Sequence, residues 1–199
     1  MNFDAWRHAL RARLFMRLRR WDAAIAAYCD ALAAAPDDLK ATAGLGYLLG
    51  MQGRYGEAEP YLRRATALAP QRADLWFNLG FALDKAGRRR EAVAALTEAT
   101  RLDPRLDRAW YGLGLAHAGL GEHREAVRCL EEATRLQPMN GHAWYALGMA
   151  WHHCREPDQV KAVAEHLAGF DPQMARQLIV ETGRADLAHL VAHIKDWGR

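Results

Sequence analysis

Proline falls at Pro36, Pro70, Pro104, Pro138 and Pro172, a constant step of 34 residues. No single globular core imposes such a step, whereas a stack of similar elements does. The chain therefore reads as a linear array of short repeats before any of its chemistry is considered. Other residues hold the same register. Leu-Gly pairs recur at Leu45-Gly46, Leu79-Gly80, Leu113-Gly114 and Leu147-Gly148. Alanine recurs at Ala24, Ala58, Ala92 and Ala126, and again at Ala31, Ala65, Ala99 and Ala133. Tryptophan recurs at Trp76, Trp110 and Trp144, and a second glycine row is Gly53, Gly87 and Gly121. An array of this kind needs no central core, because each repeat buries its apolar face on its neighbours.

Each repeat is expected to form two antiparallel helices. In the repeat 73–106, helix A runs over about 74–86 and ends at Gly87, which tolerates left-handed backbone. Helix B runs over about 89–102 and is stopped by Asp103-Pro104, since the residue before proline is pushed out of helical dihedrals. Gly80 and Ala92 lack bulk where A meets B, so the backbones approach closely, and Trp76, Leu79, Leu83 and Leu96 fill the remaining space. At the end of the last repeat, Asp171 caps a helix opened by Pro172. Segments 173–182 and 184–197 are expected to make a final helical pair around Gly183. Its last turns carry His189, His193, Lys195 and Asp196, the polar face of a solubilising cap.

The rows resemble the tetratricopeptide repeat, a helix–turn–helix motif of 34 residues. Repeat 73–106 supplies Trp76, Leu79, Gly80, Leu83, Ala92, Leu96, Ala99 and Pro104. Repeat 107–140 supplies Trp110, Leu113, Gly114, Ala126, Leu130, Ala133 and Pro138, with His117 where a large apolar residue is usual. Repeat 39–72 has Thr42 in the tryptophan slot. Repeats 5–38 and 141–174 are degenerate, the first in its A helix (His8, Arg11, Ala12) and the last in its B helix (Val160, Ala164, Leu167). The resemblance implies an all-α, right-handed superhelical solenoid of antiparallel helix pairs. It comprises five repeats over 1–174 and a helical cap over 175–199.

The resemblance also implies a function class. The A helices of such arrays line a concave groove that takes an extended peptide or a helix of a partner protein, without enzymatic activity. Projected onto this chain, the groove is lined by Lys40, Ala43, Gly44, Tyr47 and Met51. The next helix adds Asp74, Phe77, Asn78, Phe81, Asp84 and Lys85. The last two add Arg108, Tyr111, Gly112, Leu115 and Ala118, then His142, Tyr145, Met149, His152 and His153. The packing rows do not need these residues. The stripe Tyr47, Phe77, Phe81, Tyr111, Leu115, Tyr145 and Met149 suits binding, because aromatics give large contact area at low entropy cost and methionines adapt to imprecise apolar partners. A clamp for a heat-shock-protein C-terminal carboxylate is excluded. Asn78 and Arg108 match it, but Ala43, Tyr47 and Gly112 stand where it needs polar or basic groups. The expected role is adaptor, assembly factor or chaperone, the alternative a self-associating scaffold that docks its degenerate first helix (Phe3, Trp6, Leu10, Leu14) into another copy.

Composition adds limits. Net charge is +3, but residues 1–20 hold six arginines against Asp4. That basic first helix suits either a solvated cap or an acidic partner, nucleic acid or anionic lipid. Cys29, Cys129 and Cys154 show no metal or disulfide spacing, no apolar run reaches the ~20 residues of a membrane span, and 1–21 lacks a secretory apolar core; the expected compartment is the cytoplasm. The run Gly44–Gly50 lies in a helix and follows no strand, so it is not a dinucleotide loop. His152-His153-Cys154 and His189/His193 lack a third convergent ligand, and no cofactor is expected. RNA-reading helical arrays lack the Trp, Leu-Gly and Pro rows, and the projected groove mixes acidic with basic residues rather than forming a basic track.

Overall fold

The structure, a computed structural model, describes residues 3–192. In chain order the elements are α1 (Phe3–Arg17), α2 (Trp21–Ala34), α3 (Leu39–Met51), α4 (Tyr55–Leu68), α5 (Ala73–Lys85), α6 (Arg89–Leu102), α7 (Asp107–Gly119), α8 (His123–Leu136), α9 (Gly141–His153), α10 (Pro157–Phe170), α11 (Pro172–Glu181) and a 3₁₀ helix (Ala185–Val191). No strand occurs among the described residues. The fold divides into two compact bodies, an N-terminal one ending at Pro104 and a C-terminal one beginning at Arg105. The first holds α1–α6 as three pairs. The second holds α7/α8 and α9/α10, followed by α11 and the 3₁₀ helix.

The Leu-Gly row has a direct steric cause. A β-carbon placed on Gly46 would stand 2.9 Å from Leu62 Cγ, and on Gly80 2.6 Å from Leu96 Cγ. On Gly114 it would stand 2.6 Å from Leu130 Cγ. Each glycine lets a leucine of helix B press against the backbone of helix A. The fifth pair departs from this. Ala164 occupies the leucine position and is too short, so α11 intervenes: a β-carbon on Gly148 would meet Leu178 Cδ2 at 2.6 Å and Val163 Cγ1 at 3.1 Å. Leu178 is fully buried.

The tryptophan and proline rows are joined. The indole N–H of Trp76 donates to the carbonyl of Pro70 at 2.8 Å, and that of Trp144 to the carbonyl of Pro138 at 2.8 Å. Each ring thereby ties the start of an A helix to the turn before it. A further 34-residue row, Thr66, Thr100 and Thr134, is buried; each hydroxyl donates to a carbonyl one turn back, on Arg63, Thr97 and Glu131. That hydrogen bond is what lets a polar side chain sit in the seam.

The A-to-B turns share one backbone solution. Gly53, Gly87 and Gly121 have φ of +75°, +79° and +79°. Arg19 and Arg155, one step of 34 before and after that row, keep the turn with φ of +57° and +62°. A β-carbon there costs about 1 kcal/mol or more. Arg155→Gly is therefore expected to stabilise the C-terminal body by about 0.5–1 kcal/mol, read as a higher denaturation midpoint; an unchanged or lower midpoint would contradict the strain.

The C-terminal end adds detail to the expected pair. Asp171 does cap α11, accepting from the Met174 amide at 3.2 Å. Of the helical segment expected over 184–197, the described part forms the 3₁₀ helix Ala185–Val191. Arg184 donates to both carboxylate oxygens of Asp186 at 2.8 Å and to the Pro157 carbonyl at 2.6 Å, while Leu187 is buried. These ties draw the short segment against α10 and favour the tighter winding. His193, Lys195 and Asp196 lie outside the described residues.

Candidate peptide-binding faces

In the N-terminal body, α3 and α5 are neighbouring A helices. Their leucines Leu45, Leu48, Leu79 and Leu83 point inward and are buried. With that side committed to packing, Tyr47, Met51 and Phe81 remain 46%, 52% and 42% exposed. Phe77 is half-buried. Phe77 and Phe81 pack with ring centroids 6.3 Å apart, and Tyr55 meets Phe81 edge-on at 6.2 Å. The Lys85 ammonium lies 5.6 Å from the Phe81 ring centre. The result is an aromatic patch with a cation on its rim. Tyr55 belongs to no 34-residue row, and this is why sequence reasoning missed it.

The polar groups of this face divide into satisfied and open ones. Asp74 accepts from Arg72 at 3.0 and 2.5 Å, and Asp84 lies 3.9 Å from Arg89. Asn78 is half-buried on α5 and its amide makes no hydrogen bond with the described residues. Lys40 is exposed at the start of α3. Gly44 is covered: a β-carbon there would stand 2.5 Å from the Tyr28 ring. That position meets α2 rather than a partner. The run Gly44–Gly50 lies wholly within α3.

In the C-terminal body, Arg108, Leu115 and His142 are exposed, on α7 and α9. Tyr111, Tyr145 and Met149 are half-buried and pack against the apolar core built from α8–α11. Tyr145 is engaged by the chain itself. Its hydroxyl donates to Glu181 of α11, whose other carboxylate oxygen accepts from Gln177 at 2.9 Å. Burial, and then this hydrogen bond to a carboxylate, push the Tyr145 hydroxyl up to about 12. The fold thus holds the neutral phenol, so its contribution is complete below the ordinary tyrosine value near 10 and is lost as pH rises through about 12. In an ultraviolet titration, Tyr145→Phe is expected to remove the latest tyrosine step; an unaltered curve would contradict the contact.

Two further features lie in this body. A cleft of about 690 Å³ opens between α8, α9 and α10, lined by Trp144, Leu147, Trp151, Val163 and His166 among others. His166 lies with its ring centre 4.1 Å from that of Trp144. The rings of His123 and His153 stack at 4.5 Å, with His153 also touching His152. Burial, and then the neighbouring His153, push the His123 imidazole down. Of the cysteines, Cys129 is buried and its thiol is pushed up to about 11 by desolvation; all three are free.

Models of the tetratricopeptide repeat match residues 10–73, 49–115 and 107–140. The chain belongs to the tetratricopeptide repeat family. Solved structures agree on the fold. MamA has a TM-score of 0.78 at 22% identity, over 94% of this chain and 98% of that one. YrrB, described as a TPR protein with an unusual peptide-binding site, has a TM-score of 0.80 at 22% identity, over 91% of this chain and 92% of that one. The thermophilic TPR protein TTC0263 of Thermus thermophilus has a TM-score of 0.61 at 22% identity, over 92% of this chain and 99% of that one. No curated protein is similar to the chain.

Proposed function

We propose that the A-helix faces hold a peptide or helix of a partner protein, making the chain a non-enzymatic interaction module that serves as adaptor, assembly factor or chaperone. The observation that carries this reading is the set Tyr47, Met51 and Phe81, large apolar side chains left 42–52% exposed on A helices, with half-buried Phe77 beside Phe81. Preformation matters because ordering a surface on binding subtracts from affinity. Asn78 has amide donors and an acceptor to offer a peptide backbone. In the C-terminal body the same role falls to Arg108, Tyr111, Leu115, His142 and Met149, with Tyr145 oriented by Glu181. The peptide-binding description of YrrB supports the reading by analogy of fold. Its division is five repeats (5–38, 39–72, 73–106, 107–140 and 141–174) with a cap over 175–199. Its compartment is the cytoplasm, on the three unpaired thiols.

A peptide selected from a displayed library on the purified chain tests the reading. Phe77→Ala/Phe81→Ala is expected to weaken that peptide by at least about 30-fold, the effect of losing one hot spot worth about 2 kcal/mol. Undiminished affinity of a folded double variant would overturn the assignment of the N-terminal face.

A further inference from the structure

The side that α1 turns inward carries Ala5 and Ala12, both buried, with His8, Phe15 and Met16 half-buried beside them. Four other large apolar side chains face solvent instead: Phe3, Trp6, Leu10 and Leu14 are about half exposed or more, and Leu18 beyond the helix end is likewise exposed. Spacings of three and four residues put these on one side of the helix. The Phe3 and Trp6 rings stack at 5.8 Å, so the stripe is already ordered. The arginines flank it. At 3.6 residues per turn, Arg11 and Arg13 fall roughly 80° to either side of the stripe, with Arg7 and Arg17 closer to it. All four are exposed. Arg7 has Asp4 at 3.4 Å and Arg11 has Asp30 at 3.8 Å, whereas Arg13, Arg17 and Arg19 meet no acidic partner among the described residues.

A nucleic acid would use the arginines and leave the leucines in water. An apolar peptide would use the leucines and leave the arginines unmatched. An anionic bilayer takes both at once: its headgroup phosphates meet the guanidinium groups while rings and leucines sink just beneath. The helix lies on such a surface without crossing it, since no described helix is long and apolar enough to span a membrane. We propose that α1 docks the protein to anionic membrane surfaces through the Phe3–Trp6–Leu10–Leu14 stripe and its flanking arginines. Two weak signals on one helix, apolar burial and charge, are what reversible peripheral binding requires. This stripe lies on α1, the first A helix, and shares no residue with the candidate faces on α3, α5, α7 and α9.

The test is flotation of the full chain with phosphatidylcholine vesicles, with and without phosphatidylglycerol. The chain is expected to float only with the anionic vesicles and to be released by salt. Each arginine near such a surface multiplies binding roughly fivefold. Arg13→Glu/Arg17→Glu should therefore weaken binding by at least about twentyfold. Leu10→Ser/Leu14→Ser should weaken it at least tenfold, on the order of two leucines' burial. Arg13 and Arg17 are solvent-exposed, so the melting curve of that pair should match the wild type, and Phe77→Ala/Phe81→Ala should bind vesicles unchanged. Absence of flotation, or equal binding to neutral vesicles, would overturn the proposal. So would concentration-dependent sedimentation that Leu10→Ser/Leu14→Ser abolishes without any vesicle binding, which would assign the stripe to a second copy of the chain.

Discussion

Replacing Gly80 with leucine is expected to destabilise the N-terminal body by about 3 kcal/mol or more, the upper range of overpacking. The reason is local. The first added carbon would already stand 2.6 Å from Leu96 Cγ and 3.3 Å from the Ala92 carbonyl oxygen. The rest of a leucine side chain has nowhere to go unless α5 separates from α6. Because each repeat is stabilised through its neighbours, the loss should spread beyond one pair. A second helical glycine provides a control of opposite sign. Around Gly50, in α3, a β-carbon would meet nothing within 4 Å. Gly50→Ala should therefore stabilise by about 0.4–1 kcal/mol. Gly80→Leu/Leu96→Ala should recover part of the loss, because it moves volume across the same seam. Equal midpoints for Gly80→Leu and wild type in denaturant titration would contradict the steric account.

Leu178→Ala is expected to cost about 3–4 kcal/mol, within the usual range for a buried leucine. Leu178 belongs to α11, outside the paired repeats, yet it fills the place at Gly148 that Leu62, Leu96 and Leu130 fill in earlier pairs. Its loss should open a cavity between α9 and α11 and speed hydrogen exchange in both helices. It should also let the Tyr145 hydroxyl titrate closer to its ordinary range, since Glu181 would no longer be held beside it. Ala164→Leu restores the leucine of the other pairs, and adding it to Leu178→Ala should return part of the stability. If Leu178→Ala unfolded no earlier than wild type, α11 would be an appendage rather than the closing element of the C-terminal body.

The order and extent of the helices were legible because the array repeats its constraints. A glycine that faces a leucine, and a tryptophan that reaches a proline carbonyl, leave the same mark every 34 residues. Helix bounds followed to within about a residue, as α5 (Ala73–Lys85) shows against the expected 74–86. The threonine row at Thr66, Thr100 and Thr134 carries the same period but was overlooked, since threonine inside a helix gives no apolar signal. Where the period lapses, sequence reasoning weakened. Nothing in the pattern marked Leu178 as the substitute for the short Ala164. The start of the 3₁₀ helix Ala185–Val191 is tied to α10 by Arg184 reaching the Pro157 carbonyl, a contact between residues far apart in the chain. The candidate faces were legible as positions on A helices. Their partners were not: Tyr55 beside Phe81, Arg72 on Asp74, Tyr28 over Gly44 and Glu181 on Tyr145 arise from packing that no row records. The exposed stripe of α1 was visible as composition, but only the buried Ala5 and Ala12 reveal which side faces out.

The most direct test of the binding role is affinity capture from native lysate, with wild type beside Phe77→Ala/Phe81→Ala/Tyr111→Ala, read by mass spectrometry. The account predicts a protein recovered with the wild type and lost from the variant, while the variant keeps its helical circular dichroism. The same proteins recovered at equal yield with both would contradict it.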